Sequence, residues 1–140
     1  MNTINKTIVS DYIKKIWNEK QFDKLDQFLS EDFTDHSLPP AYPANKEGTL
    51  QWILSFGDSF EHKTFIEEII GEGNRVVLKL QLQLKHIGVW TGIDPTQGNV
   101  HTSGYRLFKL SENKIIEHWA MIDGNRIENI LREKVEKSAQ

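Results

Sequence analysis

The first sixty residues have the hydrophobic spacing of amphipathic helices. A first helix is predicted by apolar residues that recur every three or four positions, namely Ile4, Ile8, Val9, Tyr12, Ile16 and Trp17. A shorter stretch repeats this pattern, with Asp23 in its first turn, and predicts a second helix through Phe22, Leu25, Phe28 and Leu29. The loop at residues 37–45 contains three prolines, which cannot lie inside a helix. Beyond it, a third helix is predicted through Leu50, Ile53, Leu54 and Phe60.

Beyond about residue 61 the hydrophobic period changes from 3.6 to 2, which is typical of β-strands. The clearest strand is predicted at residues 75–86, where leucines at 78, 80, 82 and 84 alternate with polar residues. Further strands are predicted at 63–70, 99–110 and 114–122, and the turns at 71–74 and 111–114 contain residues that tolerate positive φ. A helical pattern returns from about Asn125 to Lys137.

This order of elements predicts an α+β fold in which the helices pack on a strongly curved antiparallel sheet. Strands of this length twist and often curl, and a curled sheet capped by helices encloses a cup-shaped pocket. Such concave, mostly apolar enclosures are the usual sites of small-molecule ligands. Because no repeat or linker interrupts the chain, residues 1–140 are predicted to form one domain.

The charge balance argues against nucleic acid as a partner. The 17 basic and 20 acidic residues give a net charge of −3, and both signs are mixed along the chain without a basic block. Binding to a nucleic-acid backbone needs a positive face that releases counterions. The sequence has neither a signal-peptide pattern nor a stretch of roughly 20 apolar residues, so we expect no membrane association and a cytoplasmic location.

Several kinds of site are excluded because their residues are missing. The chain has no cysteine, which rules out disulfides, thiolate zinc sites and cysteine nucleophiles. It has no HxH or HExxH pattern, so we expect no metal site. Serine hydrolase, nucleotide triphosphatase and dinucleotide-binding functions lack their GxSxG, P-loop and GxGxxG motifs.

Asp123 is the first candidate for acid–base chemistry. If the last strand is regular, Asp123 shares a face with Trp119 and Met121. If that face looks into the cup, desolvation raises the pKa of the carboxyl group and makes it a usable general acid or base. The alternative is structural, because residues 123–125 begin the terminal helix and aspartate is a favoured N-cap. Position alone does not decide between the two.

Two histidines are candidates for binding or polarising a substrate. His36 precedes the proline-rich loop, where its side chain can reach the rim of the cup, and His86 extends the apolar face of the predicted strand at 75–86. Imidazole is the side chain that exchanges a proton most readily near neutral pH. A single histidine on an apolar face is, however, more often a hydrogen-bonded core residue.

The other histidines have less support from their positions. His101 shares the strand parity of Tyr105, His118 faces opposite to Trp119, and His62 is isolated. Four tryptophans and seven phenylalanines are enough to line a pocket, although aromatic residues more often fill a core.

Five segments in order give the sequence a family resemblance. They are residues 16–18 (IWN), 29–36 (LSEDFTDH), 71–77 (GEGNRVV), 88–96 (GVWTGIDPT) and 114–119 (KIIEHW), the last followed by Asp123. In these features the chain resembles the SnoaL-like polyketide cyclases, within the nuclear-transport-factor-2-like superfamily of cone-shaped α+β domains. The resemblance extends over nearly the whole chain.

The resemblance implies a cofactor-independent acid–base enzyme that acts on a small apolar or aromatic carbonyl compound. In such an enzyme Asp123 moves protons during an intramolecular aldol-type ring closure, while His36 and His86 polarise substrate carbonyls. The residues expected to contact the substrate are Trp119, Trp90, Tyr105, His101 and Met121. The resemblance also implies a homodimer.

The sequence departs from the family pattern in ways that leave its activity open. Residues 95–98 (PTQG) place the loop glycine one position late, and Lys109 stands where the family often has arginine. Isomerases, dehydratases and epoxide hydrolases share this scaffold. A non-catalytic binding protein for a small hydrophobic metabolite is the alternative of a different class.

Overall fold

The computed structural model describes residues 2–138, which form four α-helices and five β-strands. The helices are α1 (Asn2–Tyr12), α2 (Leu25–Phe28), α3 (Lys46–Ser59) and α4 (Gly124–Ser138). The strands are β1 (Leu29–Asp35), β2 (Phe60–Glu72), β3 (Arg75–His86), β4 (Asn99–Ser111) and β5 (Lys114–Ile122). A π-helical segment, Ile13–Asn18, extends α1, and a 3-10 turn, Phe22–Lys24, leads into α2.

The helices predicted from the hydrophobic spacing are present, with two boundaries corrected. Val9 and Ile16, from the first apolar pattern, are fully buried. Helix α3 begins after the proline-rich loop because the Asn45 side chain accepts a hydrogen bond from the backbone N–H of Gly48 at 2.9 Å. The second helix is shorter than predicted, since Leu29 already belongs to β1, and the third ends before Phe60, which begins β2. No helix in residues 2–138 is long and apolar enough to cross a bilayer.

The sheet has the strand order β1-β5-β4-β3-β2 and is mixed. Strands β2 to β5 pair in antiparallel fashion, whereas β1 lies parallel to β5 at one edge. The prediction of a wholly antiparallel sheet was therefore wrong at this edge. The buried residues of β1 are Leu29, Phe33 and Asp35, and the alternation is interrupted between Leu29 and Phe33. The register of β1 with β5 also shifts between Leu29 and Thr34. A strand of this kind lacks the period of 2 that identified the others.

The core lies between the helices and one face of the sheet. The alternating leucines of β3 are buried on that face, which confirms the prediction. Strands β4 and β5 are joined by a tight turn in which Glu112 and Asn113 both have positive φ, at 50° and 62°. This backbone geometry matches the right-handed twist of the two strands.

A β-bulge in β5 reverses which of its side chains point inward. Leu110 pairs with Ile115 but Lys109 pairs with Glu117, so that Ile116 is an extra residue on β5. The inward face therefore passes from Ile115 to His118, instead of continuing through Glu117 to Trp119. The expectation that Trp119, Met121 and Asp123 share the cup-facing side assumed a regular strand and was wrong.

Candidate active site

A cavity of about 300 Å³ lies between the inner face of the sheet and the helices. Its aromatic lining comes from Tyr12, Trp17, Trp52, Phe56 and Trp90. Its polar lining comes from Asp35, Ser37, Thr49, Arg106 and His118. The cup expected from the curved sheet is thus present, and its polar groups are concentrated on β1, β4, β5 and the adjoining segments.

Strand pairing brings the main polar residues together. Asp35 at the end of β1 and His118 in β5 are direct neighbours in the parallel ladder. Arg106 lies on β4 opposite Ala120, one inward position further along β5 from His118. All three side chains project from the inner face and are almost fully buried, with relative exposures of 4% for Asp35, 6% for His118 and 7% for Arg106.

These three side chains form a continuous hydrogen-bonded chain. Nδ1 of His118 lies 2.9 Å from Oδ2 of Asp35, and Nη1 of Arg106 lies 3.2 Å from Nε2 of His118. Because a guanidinium only donates hydrogen bonds, Nε2 must be the acceptor, and the neutral ring carries its proton on Nδ1, facing Asp35. The backbone N–H of Ser37 donates to Oδ1 of Asp35 at 2.9 Å. Both carboxylate oxygens are therefore engaged.

The surroundings keep the imidazole of His118 in its basic form. Burial lowers the pKa of His118, the hydrogen bond to Asp35 opposes this, and the positive charge of Arg106 lowers the pKa further. For Asp35, burial favours the protonated form, but the interactions with His118, Ser37 and Arg106 outweigh it and lower the pKa. At neutral pH the site therefore holds an aspartate anion, a neutral imidazole and a guanidinium cation.

Aromatic residues hold Arg106 and Tyr12 in place around the cavity. The guanidinium carbon of Arg106 lies 4.7 Å from the centre of the Trp17 ring, in a cation–π contact. The ring of Tyr12 packs against Phe28 and Phe108. Burial raises the pKa of Tyr12, so that it stays a neutral phenol able to donate a hydrogen bond.

Asp123 caps a helix and does not line this cavity. Its Oδ1 accepts a hydrogen bond from the backbone N–H of Arg126 at 3.0 Å, in the first turn of α4. Its backbone carbonyl accepts a hydrogen bond from the Thr102 hydroxyl at 2.9 Å. This is the geometry of the structural alternative, in which aspartate satisfies a free N–H at a helix N-terminus.

The two candidate histidines also lie outside the cavity lining. His86 is fully buried, accepts a hydrogen bond from the backbone N–H of Thr96 at Nδ1, and packs against Phe60. His36 stacks on Trp119 with ring centres 4.6 Å apart, and its Nε2 lies 2.9 Å from Oε1 of Glu117. The catalytic roles of Asp123, His36 and His86 remain predictions without support from the geometry of the cavity.

Among the expected substrate contacts, Trp90 lines the cavity. Tyr105 and Met121 are paired on the outer face of the sheet, with relative exposures of 50% and 78%. His101 is exposed and lies 3.0 Å from Nη2 of Arg126, measured from its Nε2. Trp119, stacked on His36, belongs to the same outer face.

The sequence interpretation did not select Asp35, Arg106 or Tyr12 and ranked His118 low. One signal was visible in β4. The alternate residues of this strand that point inward are apolar or small, except for Arg106. A charged side chain on a buried face marks a functional candidate. In residues 2–138 no group of three histidine or acidic side chains is placed to hold a metal ion.

Comparison with solved structures shows how common this architecture is. AclR from Streptomyces galilaeus has 18% identity and a TM-score of 0.83, with 95% of this chain and 98% of AclR covered. A SnoaL-like polyketide cyclase from Agrobacterium tumefaciens has 16% identity and a TM-score of 0.74, over 89% of this chain and 94% of that one. An LEH-like epoxide hydrolase from M. tuberculosis has 13% identity and a TM-score of 0.73, over 99% and 96%. At these identities the likeness establishes the fold alone.

Sequence comparison establishes the family. Among curated proteins, no significant match to this chain is found. The model of the SnoaL-like polyketide cyclase family matches residues 7–129, a span that contains every polar residue of the cavity. The chain therefore belongs to the SnoaL-like polyketide cyclase family.

Proposed function

We propose that this protein is a cofactor-independent acid–base enzyme that removes a proton from the carbon next to a carbonyl group of a small, largely apolar substrate. The observation that carries the proposal is the buried chain of Asp35, His118 and Arg106 in the wall of an aromatic cavity. A neutral imidazole held by a carboxylate is a general base whose protonated form is stabilised as it appears.

In the proposed reaction Nε2 of His118 takes the proton from the substrate carbon. The electron pair of that C–H bond forms a carbon–carbon double bond, and the π pair of the carbonyl moves to its oxygen, so that the substrate becomes an enolate. Arg106 and the neutral phenol of Tyr12 donate hydrogen bonds to this oxygen, and Asp35 stabilises the imidazolium ion through Nδ1. The enolate carbon then attacks a second carbonyl of the same molecule, whose oxygen takes up the proton, as in an aldol closure. In an isomerisation the enolate is instead conjugated with a further double bond and is protonated at the far carbon of that bond. In both cases the imidazolium returns its proton and the base is restored.

The test is exchange of substrate protons for deuterium in heavy water, followed by NMR on a panel of small aryl and cyclic ketones and keto acids. His118→Gln is expected to slow exchange by about 100-fold or more, since general acid–base groups contribute about 10² to 10⁴. Asp35→Asn should slow it as well. Asp32→Asn removes a carboxylate from an exposed position of the same strand and serves as the matched control. If His118→Gln exchanges substrate protons at the full rate and Asp123→Asn does not exchange them, the base is Asp123 and not His118.

A binding protein is the second candidate, and one observation favours it. The lone pair of Nε2 already accepts a hydrogen bond from Arg106, so the base is not free in this arrangement. A ligand that binds with no exchange of its protons supports this alternative.

A further inference from the structure

Arg106 is a buried cation that lacks an adjacent carboxylate. Its only side-chain hydrogen bond among the described residues goes to the neutral His118, and no acidic oxygen of those residues forms an ion pair with it. Its Nε is buried without a hydrogen-bond partner. A buried charge is unfavourable unless it is paired and its hydrogen-bonding groups are satisfied. The Arg106 guanidinium therefore has unused capacity to bind an anion.

Asp35 does not meet this need. Its Oδ2 faces His118 and its Oδ1 accepts from Ser37, so the imidazole ring separates the carboxylate from the guanidinium. Thr49 adds a second unsatisfied group to the same cavity, since its hydroxyl is buried without a partner. Both unsatisfied side chains are donors that an oxygen-bearing ligand can engage.

A carboxylate fits this arrangement better than a neutral carbonyl. The planar guanidinium fork matches the two oxygens of a carboxylate, and hydrogen bonds between two charged groups are shorter and stronger than those to neutral oxygen. The rest of the lining, from Trp17, Trp52, Phe56 and Trp90, is aromatic and suits an apolar frame. The volume of about 300 Å³ is at the lower limit of small-molecule sites and suits one ring with short substituents.

We infer that the ligand of this cavity, which is the substrate under the proposed function, carries a carboxylate that pairs with Arg106 on an apolar frame of about one ring. This inference rests on the proposed function only in calling the ligand a substrate, since the pairing of a carboxylate with Arg106 does not require catalysis. It also accounts for the occupied lone pair of His118. If the carboxylate, besides pairing with Nε, draws Nη1 of Arg106 away from Nε2 of His118, the base becomes free when the correct ligand is bound.

Binding of a matched acid and ester tests the inference. The probes are 4-oxo-4-phenylbutanoate, its methyl ester and the larger 2-naphthyl analogue of the acid, measured by calorimetry and by quenching of the cavity tryptophans. The acid is expected to bind at least about tenfold more tightly than the ester, because a hydrogen bond between two charged groups is stronger than one to a neutral oxygen. The naphthyl acid should bind more weakly than the phenyl acid.

Arg106→Met should reduce the acid-to-ester ratio to about one, whereas Lys109→Met, which removes a cation from the outer face of the same strand, should leave it unchanged. Equal or tighter binding of the ester, no binding of the acid, or a ratio that survives in Arg106→Met overturns the inference. Should Arg106→Met fail to fold, the ratio in the unaltered protein decides alone. If the protein exchanges substrate protons but does not bind the acid more tightly than the ester, only this inference is refuted. If it binds the acid more tightly but exchanges no protons, only the proposed enzymatic function is refuted.

Discussion

Replacing Asp35 by asparagine should destabilise the protein, because no arrangement of the amide satisfies its neighbours. The carboxylate accepts two hydrogen bonds, from the backbone N–H of Ser37 and from Nδ1 of His118. An asparagine that presents its oxygen to Ser37 turns its NH₂ group toward His118. The imidazole must then move its proton to Nε2, where it meets the donor Nη1 of Arg106. With the amide flipped, NH₂ meets the N–H of Ser37 instead.

At least one charge-assisted hydrogen bond is lost in every case. A hydrogen bond to a charged group contributes about 1.5–3 kcal/mol, and Asp35 is almost fully buried, so solvent does not replace it. The expected loss of unfolding free energy is therefore about 2–3 kcal/mol. For a domain of this size that corresponds to a fall of roughly 8–12 °C in Tm.

Urea titration and thermal unfolding followed by circular dichroism measure this loss. Asp32→Asn makes the same chemical change on β1 at an exposed position and should stay within about 0.5 kcal/mol of the unaltered protein. A loss of less than about 0.5 kcal/mol in Asp35→Asn would refute the argument that the buried carboxylate is held by two donors.

Four further predictions concern pH, packing, capping and assembly. Burial lowers the pKa of His62 to about 4 and also lowers those of His86 and His118, so the unfolded chain takes up protons that the folded chain does not as pH falls through about 6.5. The unfolding free energy from urea titration should therefore fall between about pH 7.5 and pH 5, and a constant value contradicts this. A Cβ at Gly48 would lie 1.7 Å from the carbonyl oxygen of Pro43, so Gly48→Ala should lower the unfolding free energy by at least about 1–3 kcal/mol. Gly57→Ala lies in the same helix with 3.8 Å of clearance and should not lower it, and equal effects of the two substitutions would refute the clash. Thermal unfolding should show a loss of about 1 kcal/mol of unfolding free energy in Asp123→Ala and almost no loss in Asp123→Asn, because asparagine also caps helices. Both variants should keep deuterium exchange, and its loss would contradict a purely capping role. If the homodimer expected from the family resemblance forms through the outer sheet face, Met121→Glu should shift it to monomer in sedimentation velocity, and a monomeric unaltered protein contradicts that expectation.

The fold was predictable where local periodicity and burial coincide. The leucines of β3 alternate because one face of that strand is buried and the other is polar, and that pattern is a property of the strand itself. Strand β1 has no such pattern because it lies at an edge with an irregular register, and its pairing with β5 depends on residues more than 80 positions away. Local sequence carries no record of such a partner.

The orientation of β5 could not be read from its own residues, because the bulge at Ile116 is created by pairing with β4. One extra residue moves every later side chain to the opposite face. Parity from Ile115 therefore placed Trp119 toward the ligand and His118 away from it, the reverse of the structure.

Arg106 needed no knowledge of pairing to be found. It stands in the inward series of β4 between Gly104 and Phe108, where a cation is unfavourable unless something binds it. The hydrogen-bond partner of such a residue has to be sought on the neighbouring strand. On β5, His118 lies opposite Phe108, which is the next inward residue of β4 after Arg106. A charge on a buried face is thus a stronger guide to this site than the position of any histidine along the chain.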